Sequence, residues 1–403
     1  MVQAGPRFRQ EGSNGRMQSV QTRQKAIILG AGIMGLCAAH GMHARGWEVH
    51  VIDQAAPPNP RGASVDHHRL IRHAYGTQHG YMRMVDDAFA AWRRIFSDIG
   101  EAPYVETGVL ALGEAAGPGW LADSRAAMRG HGIAVQDLAA DTIPASFPYF
   151  SATGIADAFF AAPGGVLLAG RIVQAMARWL AGQGVVFETA RVVSVDGRAL
   201  RLTDGATRAG DALVVAAGPW APRLLPGLAG RVRASRQIIL RLAPPPDLAA
   251  AWETAPMLLD LAAGAGFYLV PPVAGTPIKL GDHSFSLAGD AEADPRDATA
   301  AEAAAILDLA RHRIPRLDEY EILGAAACYY DVEPREEFVV ERIAPQALVM
   351  SGFSGHGFKF ASVLGHAAAN ALTDPSLMAA LPDWAAGRAA PAPGLLTPES
   401  MPA

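Results

Sequence analysis

Residues 25–53, KAIILGAGIMGLCAAHGMHARGWEVHVID, read as a strand, a tight turn, a helix and a second strand that ends in an acid. The opening AIIL is a continuous apolar run, as a strand buried on both faces of a parallel sheet requires. Gly30, Gly32 and Gly35 then supply a G-x-G-x-x-G turn. The first glycine permits the turn, the second lets the backbone approach a pyrophosphate, and the third lets helix and sheet pack closely. The diphosphate then meets free N–H groups at the helix N-terminus. Asp53 follows Gly35 by 18 residues, close to the roughly 20 expected of a carboxylate that accepts hydrogen bonds from ribose hydroxyls. The stretch predicts a dinucleotide-binding α/β unit and does not choose between NAD and FAD. Cys37, among Leu36, Ala38 and Ala39, reads as apolar filler between helix and sheet.

The rest of the chain sets the scale. At 403 residues it exceeds what one hydrophobic core organises, so two packed domains are expected. Half of the residues are hydrophobic, 18% are charged and the net charge is −5, a well-packed chain without general attraction for nucleic acid or anionic lipid. The expected partner is a small molecule. Two cysteines exclude a disulfide framework, and the polar residues 1–24 read as a disordered extension without a secretory signal. The longest uncharged run, Ala262–Ile278, is broken by Gly and Pro and reads as strand and turn. A cytoplasmic protein, free of membrane spans and either monomeric or a small homo-oligomer, is expected.

Beyond Asp53, a proline-rich loop leads into SVDHHRLIRHAYG, a titratable cluster beside the nucleotide turn, where function often collects. Residues 81–100 place Met84, Ala88, Ala91, Trp92 and Ile95 on one helical face. A second amphipathic helix ends near Gly182 or Gly184, and short strands follow with Asp-Gly turns at 196–197 and 204–205. DALVVAAG then returns to the central sheet. Residues 221–327 are strand-rich with one helical interruption, and QALVMSG, GFSGHGFKF and ASVLGHAAANAL repeat the order strand, glycine-rich turn, helix. The predicted architecture is an α/β, Rossmann-like nucleotide domain of residues 25–80, 160–222 and 328–385. It is interleaved with an α+β substrate domain of residues 81–159 and 223–327 built on an antiparallel sheet. Residues 386–403 form a flexible tail.

Taken in order, GAGIMG, RLIRHAYG, AAGPWAPRLL, KLGDH, ACYY and GFSGHGFKF resemble the amine-oxidising flavoproteins of the D-amino-acid oxidase superfamily. The closest likeness is to the monomeric sarcosine oxidase and N-methyltryptophan oxidase family, from about Lys25 to Leu372. The resemblance implies an extended FAD running from GAGIMG to the substrate domain. It implies that Cys328 attaches the flavin through a thioether to the 8α-methyl carbon, and that Arg72 and Lys359 hold the substrate carboxylate. Arg69 matches an arginine close to the flavin. Lys279 matches a lysine that is linked through water to flavin N5 and promotes reaction with O2. His283 and Tyr268 match side chains lining the amine pocket. The backbone of Gly355, His356 and Gly357, at the start of the last helix, would favour negative charge on the reduced flavin.

The implied reaction is hydride transfer from the α-carbon of a secondary amine or amino acid, N-methyl or cyclic, to flavin N5, with reoxidation by O2 to H2O2. Without that resemblance the residues read more plainly. Cys328 reads as a small buried side chain, Arg72 and Lys279 as surface salt-bridge partners, His283 as a structural histidine, and Tyr329 and Tyr330 as packing. His67, His68, His73 and His79 lack the Cys or carboxylate set of a metal site, so no metal is expected. Just before Arg69 the family has small polar residues and a Thr, with a His a few positions earlier. This chain has Val65, Asp66, His67 and His68, so its pocket wall differs. Two alternatives remain: a dehydrogenase with a non-oxygen acceptor, and a nucleotide-binding regulatory or assembly subunit without turnover. The pair Arg72 and Lys359 argues against the second, because a nucleotide binder needs no further anion site.

Overall fold

The computed structural model describes residues 1, 23–115, 117, 119–261 and 266–396. Most of the predicted N-terminal extension (2–22), residues 262–265 of the long uncharged run and the end of the predicted tail (397–403) lie outside the described residues.

The strand Lys25–Leu29 lies inside a six-stranded sheet, parallel to Glu48–Asp53 on one side and to Ala212–Val215 on the other. Val186–Thr189 extends the sheet beyond Glu48–Asp53. Ala347–Ser351 and then an antiparallel Val339–Ala344 extend it beyond Ala212–Val215. Both DALVVAAG and QALVMSG thus join the sheet that the first strand founds, despite lying about 190 and 320 residues along the chain. Their apolar runs explain why: Ile27, Ile28, Val51, Leu213, Val214, Leu348 and Val349 are all fully buried, as strands covered on both faces must be.

Helix Ile33–Ala44 and helix Ala361–Thr373 pack side by side on this sheet. They approach so closely that a Cβ on Gly365 would lie 2.4 Å from the backbone of Cys37. Cys37 is fully buried at that contact. Helix His79–Ile99 lies against Ala361–Thr373 and against helix Ala169–Gly182 with its predicted face inward. There Trp92 donates its indole N–H to the Lys359 carbonyl at 2.8 Å, and Ser362 bonds the Ala88 carbonyl at 3.1 Å. The helix therefore braces the glycine-rich turn that carries Lys359.

The second large sheet has eight strands in the order Glu321–Val332, Arg233–Ala243, Ile278–Asp282, Phe267–Val270, Met257–Asp260, Val109–Gly113, Asp157–Ala161 and Val135–Asp137. It is antiparallel except where Met257–Asp260 runs parallel to Val109–Gly113. A three-stranded sheet, Arg69–Arg72, Gly164–Leu167 and Tyr104–Glu106, brings both site arginines of RLIR beside the larger sheets. Another three-stranded sheet, residues 192–209, turns at Gly197 and Gly205, both at positive φ as the Asp-Gly pairs predict. Helix Ala300–Ala310 opens with a capping box between Thr299 and Glu302. Among the described residues no helix is long and apolar enough to cross a membrane.

Candidate active site

The glycine turn adopts the geometry its sequence requires. Gly30 has φ +109°, and a Cβ there would sit 2.2 Å from the Ala216 carbonyl oxygen. A Cβ on Gly35 would sit 1.8 Å from the carbonyl oxygen of Gly30. Neither position admits a side chain. Asp53 closes the turn: one carboxylate oxygen accepts the Ala31 N–H at 2.7 Å, the other the Ala55 N–H at 3.1 Å and the Asn59 amide at 2.9 Å. Ser64 reaches back to accept the Ile33 N–H at 2.9 Å, and a Cβ on Gly32 would meet that hydroxyl oxygen at 3.2 Å. From here one continuous groove runs past Asp53, Arg69 and Tyr330 to Gly355 and Gly357.

At the far end of the groove, strand Glu321–Val332 presents Tyr330, with Cys328 two residues before it on the same strand. A Cβ on Gly355, at φ +76°, would strike the Tyr330 ring at 2.5 Å, so the glycine is what lets turn and strand meet. Tyr330 lies close to Tyr268, and burial raises both hydroxyls above their ordinary value. Tyr329 instead bonds Arg236 and Asp294. Burial raises the Cys328 thiol above its ordinary value, against the pull of nearby Arg69 and Lys279. The Gly355–Gly357 segment differs in one respect from expectation. The His356 N–H is already bonded to the Phe353 carbonyl at 3.0 Å, and a 3-10 turn, Phe358–Phe360, separates the segment from the helix proper.

Two groups of cations flank this end, each built on a buried lysine with half-buried arginines beside it. Lys279 donates to Asp66 and to the His68 carbonyl, both at 2.7 Å. Arg69 bonds the same Asp66 oxygen and also the carbonyls of His68 and Ala63. Arg241 approaches Asp66 at 3.5 Å. Neither Lys279 nor Asp66 is at the surface, as their side chains are 3% and 1% exposed, which corrects the plain reading of Lys279 as a surface partner. Burial pulls the Lys279 ammonium down to about 8, with Asp66 opposing. Burial pushes the Asp66 carboxyl up, but Lys279 and then Arg69 reverse this and hold it well below its ordinary value.

The other group is Arg72 and Lys359, which converge on Tyr75. The Lys359 ammonium donates to the Tyr75 hydroxyl at 2.9 Å and to the His356 carbonyl at 3.2 Å. The Arg72 guanidinium lies 4.7 Å from the Tyr75 ring centre and 5.6 Å from that of Trp120. Among the described residues no carboxylate pairs with either cation, and one terminal nitrogen of Arg72 is buried without a hydrogen-bond partner. Burial, and then Arg72, pushes Lys359 well below its ordinary value. His283 stands nearby, 5.9 Å from the Tyr268 ring, with Nε2 buried without a partner. Burial, and then Arg72, brings its midpoint down to about 4, so this imidazole is neutral.

A family model for FAD-dependent oxidoreductases, DAO, matches residues 25–371. The chain belongs to the DAO family of FAD-dependent oxidoreductases. N-methyl-L-tryptophan oxidase of Yersinia pestis (strain Pestoides F) is 28% identical over 360 residues, 85% of this chain and 93% of that protein. Among solved structures, L-proline dehydrogenase from P. horikoshii superposes with a TM-score of 0.76 at 18% identity, covering 91% of this chain and 97% of that one. Fructosyl amine:oxygen oxidoreductase (Amadoriase I) from Aspergillus fumigatus does so with a TM-score of 0.74 at 18% identity, covering 92% of each. The likenesses to these two structures show the same fold.

The residues of this oxidoreductase fit its cofactor. The turn at Gly30 and Gly35 leaves no room for side chains, and the groove continues from it to the Tyr330–Gly355 contact. Gly30, Gly32, Asp53, Arg69 and Gly355, which line that groove, are the residues that would hold it. Of the four histidines weighed for a metal site, His67 and His68 lie edge to face with ring centres 6.2 Å apart. His68 bonds the Pro277 carbonyl and His73 bonds Asp86, and among the described residues no group of three or more His, Cys, Asp or Glu could hold a metal ion. Sequence reasoning named Asp66 as a change in the pocket wall but missed its pairing with Lys279, and missed Tyr75 and Trp120 as parts of the site. One signal was available. The chain has only three lysines, Lys25, Lys279 and Lys359, and two of them are buried here.

Proposed function

We propose that this oxidoreductase oxidises a secondary amine or amino acid of the N-methyl or cyclic kind, with O2 as electron acceptor and H2O2 as product. One observation carries the substrate class: buried Lys359 and half-buried Arg72, from separate segments, meet at Tyr75 with no carboxylate in ion-pair contact among the described residues. A buried cation is costly unless an anion joins it, and a substrate carboxylate supplies one through charge-assisted bonds. FAD, when bound, supplies the two-electron acceptor for hydride from the substrate. The chain does the positioning. Arg72 and Lys359 fix the carboxylate and so orient the α-carbon. With a net positive field, they also favour the neutral form of the nearby amine, whose lone pair the oxidation requires. His283, neutral and with a free Nε2, offers that amine a hydrogen-bond partner beside Tyr268.

On this reading residues 25–80, 160–222 and 328–385 serve the cofactor and 81–159 and 223–327 the substrate, with Cys328 at the crossing and joined to the flavin as a thioether. The kinship with N-methyl-L-tryptophan oxidase supports the amine class, and the charge of Lys279 supports O2 as acceptor. A panel of N-methyl, cyclic and D-amino acids, read by H2O2 release and anaerobic flavin bleaching, tests the reading. Bleaching with peroxide is expected. Bleaching without peroxide in air points to a non-oxygen acceptor, and no bleaching by any member contradicts the substrate class. Acid-precipitated protein is expected to stay yellow, and Cys328→Ser to lose its colour on precipitation; free FAD from the wild type would contradict the thioether.

A further inference from the structure

The strand pairing sets up a conflict that one residue resolves. Lys279 lies directly opposite Arg241 across the ladder between Ile278–Asp282 and Arg233–Ala243, so two cations share one face of the sheet, an arrangement that is destabilising by itself. Arg69 adds a third positive charge from another sheet. All three converge on the carboxylate of Asp66, with Lys279 at 2.7 Å and Arg241 at 3.5 Å. The Asp66 side chain is shut off from bulk solvent, at 1% exposure. The remaining contact of the ammonium is a backbone carbonyl, that of His68, two residues along from Asp66. The segment therefore grips Lys279 at two points.

We propose that Asp66 is the positioning residue of Lys279: its carboxylate fixes the side chain against the His68 carbonyl and holds it as an ammonium beside Cys328 and Tyr330. This rests on the reading above, in which that ammonium faces the cofactor and supports transfer to O2. The other groups around Lys279 favour or oppose its charge as follows. Arg69 and Arg241 oppose it, as burial does. Cys328 carries no charge at pH 7, either as the buried thiol, which burial raises, or as a thioether, and the Tyr268 and Tyr330 hydroxyls are neutral as well, since burial raises both. His68 is neutral as well, its midpoint brought down to about 3 by burial and then Lys279. Asp66 is thus the one carboxylate among the described residues that pairs with the ammonium.

Because the chain has three lysines, protein labelled with 13C at lysine Cε gives three signals, and Lys279→Met identifies the one that matters. In the wild-type holoprotein that signal is expected to titrate near 8. In Asp66→Asn the midpoint falls by roughly one to three units, the size of an opposite-charge effect at this distance, and Asp66→Glu restores it. An unmoved midpoint in Asp66→Asn overturns the proposal even if the melting temperature drops, since lost packing alone would not change the titration. Should Asp66→Asn not fold, Arg241→Gln takes its place. It frees the carboxylate for Lys279 and moves the midpoint upward; no movement overturns the proposal. Reoxidation of the reduced holoprotein by O2 separates the two claims. If the midpoint shifts but Asp66→Asn and Lys279→Met reoxidise like the wild type, the Asp66 assignment stands and the role of Lys279 toward O2 falls. If Lys279→Met is slow while the midpoint in Asp66→Asn is unmoved, the reverse holds.

Discussion

The two cation groups differ in a single feature, and that feature separates structure from function. Around Lys279, Arg69 and Arg241 the chain supplies its own anion, Asp66, whereas around Arg72 and Lys359 the described residues supply the hydroxyl and ring of Tyr75, the Trp120 ring and the His356 carbonyl, but no carboxylate in ion-pair contact. Buried charge that is internally compensated contributes to the fold, and buried charge left uncompensated costs stability until a ligand arrives. The same reasoning tells a bound lysine from a waiting one.

The sharpest way to break this contrast is to remove one partner from each side. Asp66→Ala strands two close cations and is expected to cost about 3–5 kcal/mol in denaturant unfolding. Lys359→Met removes a cation that has no counter-ion, and is expected to leave the ligand-free protein within about 1 kcal/mol of wild type or above it. Equal losses in the two variants would erase the distinction. Next in size, Arg72→Met is expected to weaken an amino-acid substrate by about 1.5–3 kcal/mol, roughly 10- to 150-fold in KM, while an amine lacking a carboxylate loses little. Comparing KM for that matched pair checks it.

The pH response sharpens the picture further. His68 and His283 have folded midpoints of about 3 and 4 against an ordinary 6.5, lowered first by burial. The unfolded chain therefore takes up these protons first. Their part of the stability is complete above pH 6.5 and is lost as pH falls through 6.5 toward 4 and then 3. Melting temperatures measured across pH 7 to 4 should fall, and His68→Asn should fall less steeply. The smallest expected effect is that of Trp92→Phe. It removes the 2.8 Å bond to the Lys359 carbonyl, costing about 0.5–1.5 kcal/mol of stability and raising KM for carboxylate substrates a few-fold.

How far the sequence discloses this site follows from the range of the interactions. The Gly30–Asp53 turn, the helix bearing Trp92 and the returning strands are legible because their causes are local: glycine spacing, apolar periodicity and uninterrupted β-rich runs. Cys328, Lys359 and Arg72 stand out only through motifs taken together in order. Asp66 shows as a departure in the run VDHH, but its partners Lys279 and Arg241 lie 213 and 175 residues away, and no spacing rule connects them. Trp92 reads as core, correctly, while its grip on the Lys359 backbone is invisible because a carbonyl carries no sequence signature.

Binding of a small carboxylate such as methylthioacetate to the purified holoprotein, followed by the flavin absorption spectrum in wild type, Lys359→Met and Lys279→Met, puts the contrast to the most direct test. A saturable spectral change is expected in the wild type and in Lys279→Met, and at least about a tenfold weaker response in Lys359→Met. Undiminished binding in Lys359→Met, or loss of binding in Lys279→Met alone, would contradict it.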